Sequence, residues 1–248
     1  MRVGVVCPYD WSYPGGVRTH IIGLTAALRR KGIDVEIMAP ASSPDMTIYA
    51  LGRTVGIPYN GSVARLNFSF AARARIAKRL RQGDIDLLHI HEPFSPSVSF
   101  LALMQTSLPV VATFHMSRER SFAYSVARPL LEYFERKIDH RIVVSGAARS
   151  LIARYLPPRP GAETLLPNAI ELQRYRSAAS DGELQALKPF VLFVGRNEPR
   201  KGLSVLVDAM ERVRKEKPCN LVVGGVTRSE VQQLIGKVPS WIHPLGPV

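Results

Sequence analysis

The chain has 248 residues, of which 46% are hydrophobic and 21% are charged, a composition typical of a globular protein with a sizeable core. It has no apolar run of the roughly 20 residues that cross a bilayer and no secretion-signal pattern at its N-terminus, so we expect a cytoplasmic protein. A net charge of +13 favours an anionic partner, such as nucleic acid, anionic lipid or a phosphorylated small molecule.

Short apolar runs alternate with helix-length segments over the first 156 residues. We predict strands at Val3–Cys7, Val35–Ala39, Asp86–Ile90, Val110–Phe114 and Arg141–Val144, and helices at 16–31, 70–82, 96–107, 122–138 and 146–156. This order predicts an α/β fold in which a parallel sheet is covered by helices on both faces. Ligands of such sheets bind at the carboxyl ends of the strands.

The alternation stops at the proline-rich segment 157–161 and restarts after the polar stretch 177–183. We then predict strands at 190–195, 220–224 and around 241–243, with helices at 203–217 and 228–236. The chain therefore divides into a first α/β domain at 1–168, a linker at 169–188 and a second α/β unit at 189–248. Three strands and two helices are few for an independent domain of this class.

The segment Pro14-Gly-Gly-Val17 joins the first predicted strand to its helix. Paired glycines let a ligand approach the backbone, and the free amides of a helix start favour phosphate. The segment is not a dinucleotide-binding fingerprint. A phosphate site and a simple tight turn fit it equally well.

Three histidines stand at the ends of predicted strands. His89 and His91 share one face of their strand, but a metal site needs a third ligand, so we interpret them as structural histidines. His115 directly follows the strand Val110–Phe114. Both a role in a binding cleft and a purely structural role are open for it.

The segment from Arg65 to Arg81 has six basic residues and no acidic one. On a helix, Ile76, Ala77 and Leu80 form a narrow apolar stripe, and the cations lie on the other side. Such a helix can bind an anionic membrane surface, and it can also be a solvated face.

The turn Arg196–Lys201 follows a predicted strand and precedes a helix, which is where α/β domains bind anions. Arginine and lysine both suit phosphate oxygens. The alternative is a solvated loop in which Arg196 pairs with Glu198. No serine or cysteine has the spacing of a catalytic nucleophile.

Taken together, these segments resemble the retaining glycosyltransferases of family 4, and among them the phosphatidylinositol mannosyltransferases. The resemblance covers nearly the whole chain, and its most specific segment is Ile57–Leu66, IPYNGSVARL. The other segments that carry it are Met1–Tyr9, Pro14–Val17, Leu88–Pro93, Val111–His115, Leu166–Asn168 and Gly195–Gly202.

The resemblance implies the GT-B fold of two Rossmann-like domains. It also implies transfer of mannose from GDP-mannose to the inositol of a phosphatidylinositol lipid with retention of configuration. Such an enzyme works at the inner face of the plasma membrane and requires no bound metal. One alternative is another family 4 enzyme that uses a different donor or acceptor. A second alternative, from another functional class, is a non-catalytic module that binds anionic lipid. Binding of nucleic acid is not expected, because no recognition motif accompanies the charge.

The resemblance also assigns roles to individual residues. Arg196 and Lys201 match the cations that hold the donor pyrophosphate, Gly15 and Gly16 match the donor-binding glycine turn, and His115 matches a cleft histidine beside the transferred sugar. The acceptor side is matched by Tyr9, Asn60, Ser62, Arg65 and Arg120, with Arg120 at a position where the family can have lysine. The membrane-facing cations are Arg73, Arg75, Lys78, Arg79 and Arg81.

Family members continue through a Gly-rich loop and a Glu-x7-Glu motif of the donor domain, and residues 189–248 contain neither. We therefore expect residues 1–168 to be an acceptor-binding domain and residues 189–248 to be an incomplete domain for the nucleotide sugar. We also expect the 248-residue chain by itself to have little or no transferase activity.

Overall fold

A computed structural model describes residues 1–59, 62–116, 122–176 and 182–246. Within these ranges, only the backbone is described for Pro58, Tyr59, Ser62, Phe122, Ala123, Arg174 and Tyr175. The chain divides into two compact units. Unit 1 contains residues 1–57 and 64–171, and unit 2 contains residues 58–63 and 172–248.

Unit 1 contains a seven-stranded sheet in which every pair of neighbours is parallel. The strand order is β3-β2-β1-β6-β7-β8-β9. The strands are β1 Arg2–Val6, β2 Asp34–Ala39, β3 Tyr49–Ala50, β6 Leu87–His91, β7 Val110–Phe114, β8 His140–Val143 and β9 Glu163–Leu165. A separate two-stranded sheet is formed by β4 Val55–Tyr59 and β5 Ser62–Leu66, in the segment where the sequence predicts no strand.

The helices of unit 1 follow the predicted order. They are α1 Gly16–Arg30, α2 Phe70–Leu80, α3 Val98–Gln105, α4 Phe122–Val126, α5 Arg128–Glu135 and α6 Gly146–Tyr155. The single helix predicted at 122–138 is wrong in one respect, because the structure divides it into α4 and α5. Pro129 lies in the first turn of α5, where its missing amide costs nothing, whereas it would disrupt the interior of a longer helix.

Strand β1, which lies between β2 and β6, and the residue that follows it supply side chains to a core on each side of the sheet. Val3, Val5 and Cys7 pack in one buried cluster, and Val6 packs in the other. Gly4 permits a close approach of the neighbouring strand, because a Cβ atom there would lie 2.7 Å from Leu88 Cδ2. Because its side chains alternate between the two faces, this strand contributes to the packing of helices on both faces of the sheet.

Unit 2 contains the parallel sheet β10-β11-β12, and the predicted third strand is confirmed. Its buried cluster lies between the sheet and helices α9 and α10, around Val207, Val223 and Val231. Two short helices, α7 and α8, lie in the segment predicted as a linker. The elements are α7 Leu172–Arg176, α8 Gly182–Ala186, β10 Phe190–Val194, a 3-10 turn Pro199–Lys201, α9 Leu203–Val213, β11 Asn220–Gly224, α10 Arg228–Ile235 and β12 Ile242–Gly246.

Among the helices that the structure describes, none has the length and apolar character of a membrane span.

Candidate active site

Histidines gather at the carboxyl edge of the unit 1 sheet. His89 and His91 lie on the same face of β6, because side chains alternate along a strand. His91 pairs in register with Thr113 of β7, which brings His115, just past the end of that strand, beside it. His20, from the first half of α1, completes the group, and its ring lies 5.6 Å from that of His91 and 5.2 Å from that of His115.

These imidazoles contact one another directly. His91 Nδ1 lies 2.9 Å from His115 Nε2, so one of these two rings donates a hydrogen bond to the other. The ring of His89 stacks on that of His91 at 4.5 Å between centroids, and His89 Nε2 is 2.7 Å from Thr113 Oγ1. His115 is therefore both a residue at the sheet edge and a member of a histidine network.

Burial keeps the whole group uncharged. Loss of contact with water lowers the pKa of His89 to about 4 and that of His115 to about 3, and it holds the pKa of His91 well below the ordinary value. The pKa of His20 is lowered for the same reason. At neutral pH the rings carry no positive charge and act as hydrogen-bond partners.

Glu92 follows β6 and fixes the backbone at His115. It has a φ of 49°, a conformation that non-glycine residues adopt rarely. Its Oε1 accepts the amides of His115 and Met116, each at 2.6 Å. Although these hydrogen bonds favour the carboxylate, burial dominates and raises the pKa of Glu92 to about 7.

The glycine turn presents the start of α1 to solvent. Gly15 is the N-cap residue with extended backbone, and no described side chain caps the helix. A Cβ atom at Gly15 or Gly16 would have no heavy atom within 4 Å. The first-turn amides therefore lie behind an open surface, as an anion site requires.

The predicted acceptor residues are described only in part. Arg65 lies over the ring of Tyr13, with its Cζ 4.0 Å from the ring centroid, next to the glycine turn. Tyr9 is half-buried after β1. Asn60 and Arg120 fall outside the described residues, and the side chain of Ser62 is not described, so their acceptor roles stay predictions.

Helix α2 has the predicted basic face, with one exception. Its N-cap Ser69 accepts the amide of Ala72, and Ile76 is fully buried. Phe70, in the first turn, is 88% exposed. The exposed cations are Arg73, Arg75, Lys78 and Arg81.

Arg79 is the exception, and its prediction as a membrane-facing residue is wrong. Its side chain is 3% exposed, and it donates to Glu36 at 2.5 Å and to Asp84 at 2.6 Å. A buried guanidinium needs carboxylate partners, and these come from β2 and from the turn after α2. Arg79 therefore fastens α2 to the sheet.

In unit 2, the turn after β10 carries the predicted phosphate-binding cations. Glu198 is largely buried and bonds to Arg196 and to Arg200, each at 2.7 Å. Lys201 ends the 3-10 turn and is exposed, and Gly202 follows it with a φ of 73°. The ion pair considered from the sequence is thus present, and it holds Arg196 while about half of the arginine side chain stays exposed.

The same turn is packed closely against the loop that follows β11. Gly225 has a φ of 85°, and a Cβ atom there would lie 2.7 Å from the carbonyl oxygen of Gly195. Only glycine fits this position.

Two features of this edge were not predicted from the sequence, namely the presence of His20 in the histidine group and the role of Glu92. His20 stands on the helix after Pro14–Val17, and its position relative to the glycine turn was the available signal. Glu92 directly follows His91, but nothing in a single sequence shows that its carboxylate bonds to amides that lie 23 and 24 residues away.

Comparison with known proteins identifies the family. The model of Glycosyltransferase Family 4 matches residues 14–174, and the chain belongs to this family. It is 40% identical to the phosphatidyl-myo-inositol mannosyltransferase of Mycobacterium leprae, covering 100% of this chain and 67% of that protein. The protein of the same name from Propionibacterium freudenreichii is 35% identical, over 94% of this chain and 64% of its own length. The chain thus spans about two thirds of the length of these relatives.

Solved structures confirm the GT-B fold class. A glycosyltransferase from Rickettsia africae matches with a TM-score of 0.69 and 16% identity, over 100% of this chain and 68% of that one. Alr3699/HepE of Anabaena, in complex with UDP and glucose, matches with a TM-score of 0.69 and 16% identity, over 100% and 70% of the two chains. At this identity the likeness shows the fold alone.

Proposed function

We propose that this chain is the acceptor domain and the first part of the donor domain of an enzyme that transfers mannose from GDP-mannose to the inositol of a phosphatidylinositol lipid. The observation that carries the proposal is the 40% identity, along the whole chain, to proteins named phosphatidyl-myo-inositol mannosyltransferase. In each unit, the side chains and backbone amides described above suit one part of this reaction, and this supports the proposal.

In unit 2, Arg196 and Lys201 are assigned to the donor pyrophosphate. In unit 1, the glycine turn at Gly15 and Gly16 is assigned separately to binding of the donor. Glu198 bonds to Arg196 at 2.7 Å, so that the guanidinium is held in position before the donor binds. Preorganised cations and helix amides stabilise the charge that develops on a leaving phosphate. The leaving phosphate stays close to the sugar and accepts the proton of the acceptor hydroxyl. Because the hydroxyl attacks from the same face of the sugar that the phosphate leaves, the configuration is retained without an enzymic nucleophile or a metal ion.

The acceptor is assigned to the edge of unit 1 where His115 lies. Because His115 is neutral, it serves as a hydrogen-bond partner for a sugar or inositol hydroxyl and adds no charge. Arg65 stands beside the glycine turn as the candidate for the lipid phosphate. The further residues assigned to the acceptor are Tyr9, Asn60, Ser62 and Arg120.

Helix α2 is assigned to the membrane. The exposed cations Arg73, Arg75, Lys78 and Arg81 suit an anionic leaflet, at about 1 kcal/mol per well-placed cation. Phe68 and Phe70 are 53% and 88% exposed next to them and can insert below the headgroups. The proposed location is therefore the inner face of the plasma membrane, as a peripheral protein.

The test is transfer of radiolabelled mannose from GDP-mannose to phosphatidylinositol vesicles. It compares this chain alone with a chimera that continues into the last third of the M. leprae relative. We expect transfer by the chimera, loss of transfer in its Arg196→Ala and Lys201→Ala variants, and little or no turnover by the chain alone. A folded chimera that transfers to no inositol lipid contradicts the proposal.

A second acceptor is favoured by one comparison. The D-inositol 3-phosphate glycosyltransferase of Nocardia farcinica is 28% identical, over 88% of this chain and 55% of its own length. That name points to an inositol phosphate without lipid chains. Competition between phosphatidylinositol vesicles and soluble inositol 3-phosphate in the same assay separates the two acceptors.

A further inference from the structure

Three imidazoles from three elements of unit 1 converge beyond the carboxyl ends of β6 and β7. His20 comes from α1, His91 ends β6 and His115 follows β7. One nitrogen atom of each residue lies within 4.8 Å of the others. We propose that His20, His91 and His115 form a binding site for a divalent transition-metal ion such as Zn²⁺.

The distances fit a tetrahedral ion after a small adjustment. With Zn–N bonds of about 2.0–2.1 Å, two ligand nitrogens lie about 3.3 Å apart. His91 Nδ1 and His115 Nε2 are already 2.9 Å apart, and the ion replaces the proton between them. His20 has to approach by rotation of its side chain, which is half-buried. His20 and His115 both reach the surface, which leaves a fourth position for water.

The other described histidines of unit 1 show what a structural role looks like. His89 Nε2 is 2.7 Å from Thr113 Oγ1, and His140 Nε2 is 2.9 Å from Thr164 Oγ1. His91 differs, because it is fully buried and its Nε2 has no hydrogen-bond partner in the described structure. The nitrogen that would bind the ion is Nδ1, and its partner is another imidazole and not a hydroxyl group. A hydrogen bond to a threonine therefore accounts for His89 and His140 but not for His91.

The residues around His20, His91 and His115 also favour the binding of an ion. Glu92 accepts the amides of His115 and Met116 and so fixes the backbone of one ligand, as groups around metal sites commonly do. Imidazole nitrogens suit zinc, copper, nickel and iron better than magnesium or calcium.

The ion is proposed as an inhibitor and not as a cofactor. His115 is assigned to the sugar and acceptor, so an ion that holds His115 competes with substrate; this step rests on the proposed function. Binding of the ion itself does not, because it needs only the three side chains of unit 1.

The experiment measures binding of Zn²⁺ by calorimetry and of Co²⁺ by visible absorption at pH 7, in a Cys219→Ser background that removes the half-buried thiol. We expect one ion per chain and the strong visible bands of four-coordinate Co²⁺. His20→Asn and His115→Asn should each weaken binding by at least about tenfold. The matched control is His140→Asn, which changes an imidazole of the same unit outside the cluster and should leave the affinity unchanged.

If the His20→Asn and His140→Asn proteins bind Zn²⁺ with equal affinity, the proposal is overturned. If a variant does not fold, nitrogen NMR of the histidine side chains in the unsubstituted sequence decides: Zn²⁺ should shift the signals of His20, His91 and His115 and leave His140 in place. Absence of these shifts also overturns the proposal. Mannose transfer by a chimera that binds no zinc would refute the metal site and leave the proposed function intact.

Discussion

The two units begin their sheets with similar apolar strands, yet these strands have different surroundings. β1 of unit 1 pairs with both β2 and β6, and four of its five residues are buried. β10 of unit 2 pairs with β11 alone among the described residues, and its Leu192 and Val194 are 53% and 63% exposed. An apolar run thus specifies a strand, whereas its burial depends on neighbours distant in sequence.

The largest expected difference between the units is the cost of truncating a strand side chain. Ile90→Ala in β6 removes a side chain with no exposure and should lower the free energy of unfolding of unit 1 by about 2–5 kcal/mol. Leu192→Ala in β10 should lower that of unit 2 by less than about 1 kcal/mol, because about half of this side chain is already exposed.

Each unit has its own fluorescent reporter, since the two tryptophans are Trp11 in unit 1 and Trp241 in unit 2. Urea unfolding of Trp241→Phe and Trp11→Phe backgrounds therefore follows unit 1 and unit 2 separately. Similar losses for Ile90→Ala and Leu192→Ala would mean that β10 is as well packed as β6, contrary to its exposure.

The comparison also explains which features could be predicted from sequence. The strands of the main sheet are short continuous apolar runs, and those at 87–91 and 110–114 match their predictions closely. The β4-β5 pair was missed, because Val55–Tyr59 and Ser62–Leu66 mix glycine, proline and polar residues. The local sequence pattern was therefore enough to predict the strands of the main sheet, but it was not enough to predict β4 and β5.

Long-range partners limit the prediction of the site in the same way. Helical spacing placed Arg79 among exposed cations, but Glu36, 43 residues away in sequence, binds it in the interior. The strand ends correctly placed His115 at the edge of the sheet. The approach of His20 depends on how α1 packs against that edge, which a single sequence does not show.

The two units should also differ in how much their exposed cations contribute to vesicle binding. Replacing Arg73, Arg75 and Lys78 by Gln removes three exposed cations from α2, and it should weaken binding to vesicles of phosphatidylinositol by about 3 kcal/mol, or about 100-fold. Folding should change little, since these side chains are exposed. Co-sedimentation at low and physiological salt measures the effect.

The matched control removes three exposed cations from unit 2, with Arg212, Lys215 and Lys217 replaced by Gln. It changes the net charge by the same amount and should leave most of the vesicle affinity. Equal loss in both triple variants would show that net charge, and not the face of α2, drives binding.

Glycine substitutions compare close contacts in the two units. Gly225→Ala forces a residue with a φ of 85° to place its Cβ 2.7 Å from a backbone oxygen, and it should destabilise unit 2 by about 1–3 kcal/mol. Gly4→Ala meets the tip of the Leu88 side chain at the same distance, and a flexible side chain can move. Its cost should be smaller. Urea unfolding in the two single-tryptophan backgrounds tests this order, and a larger loss for Gly4→Ala would contradict it.

One carboxylate in each unit should make the stability of that unit sensitive to acid. Asp10 in unit 1 is 3% exposed. Burial favours its protonated form, but Ser42 and Thr54 hydroxyls and the amides of Ser12 and Ser42 hydrogen-bond to the carboxylate, so that its pKa is lowered overall. Bonds from Thr227 lower the pKa of Glu230 in unit 2, at the start of α10.

For both groups the pKa is lower in the folded than in the unfolded chain, so their contribution is complete above the unfolded value and is lost as the pH falls through the folded value. Asp10→Asn should cost about 1–3 kcal/mol at pH 7, and Glu230→Gln less, because a surface capping bond is worth less than a buried network. Both costs should shrink as the pH falls below about 4. Unfolding at pH 7 and pH 3 with the reporter of each unit measures them. A cost of Asp10→Asn that stays constant with pH would show that the network depends on the shape of the side chain and not on its charge.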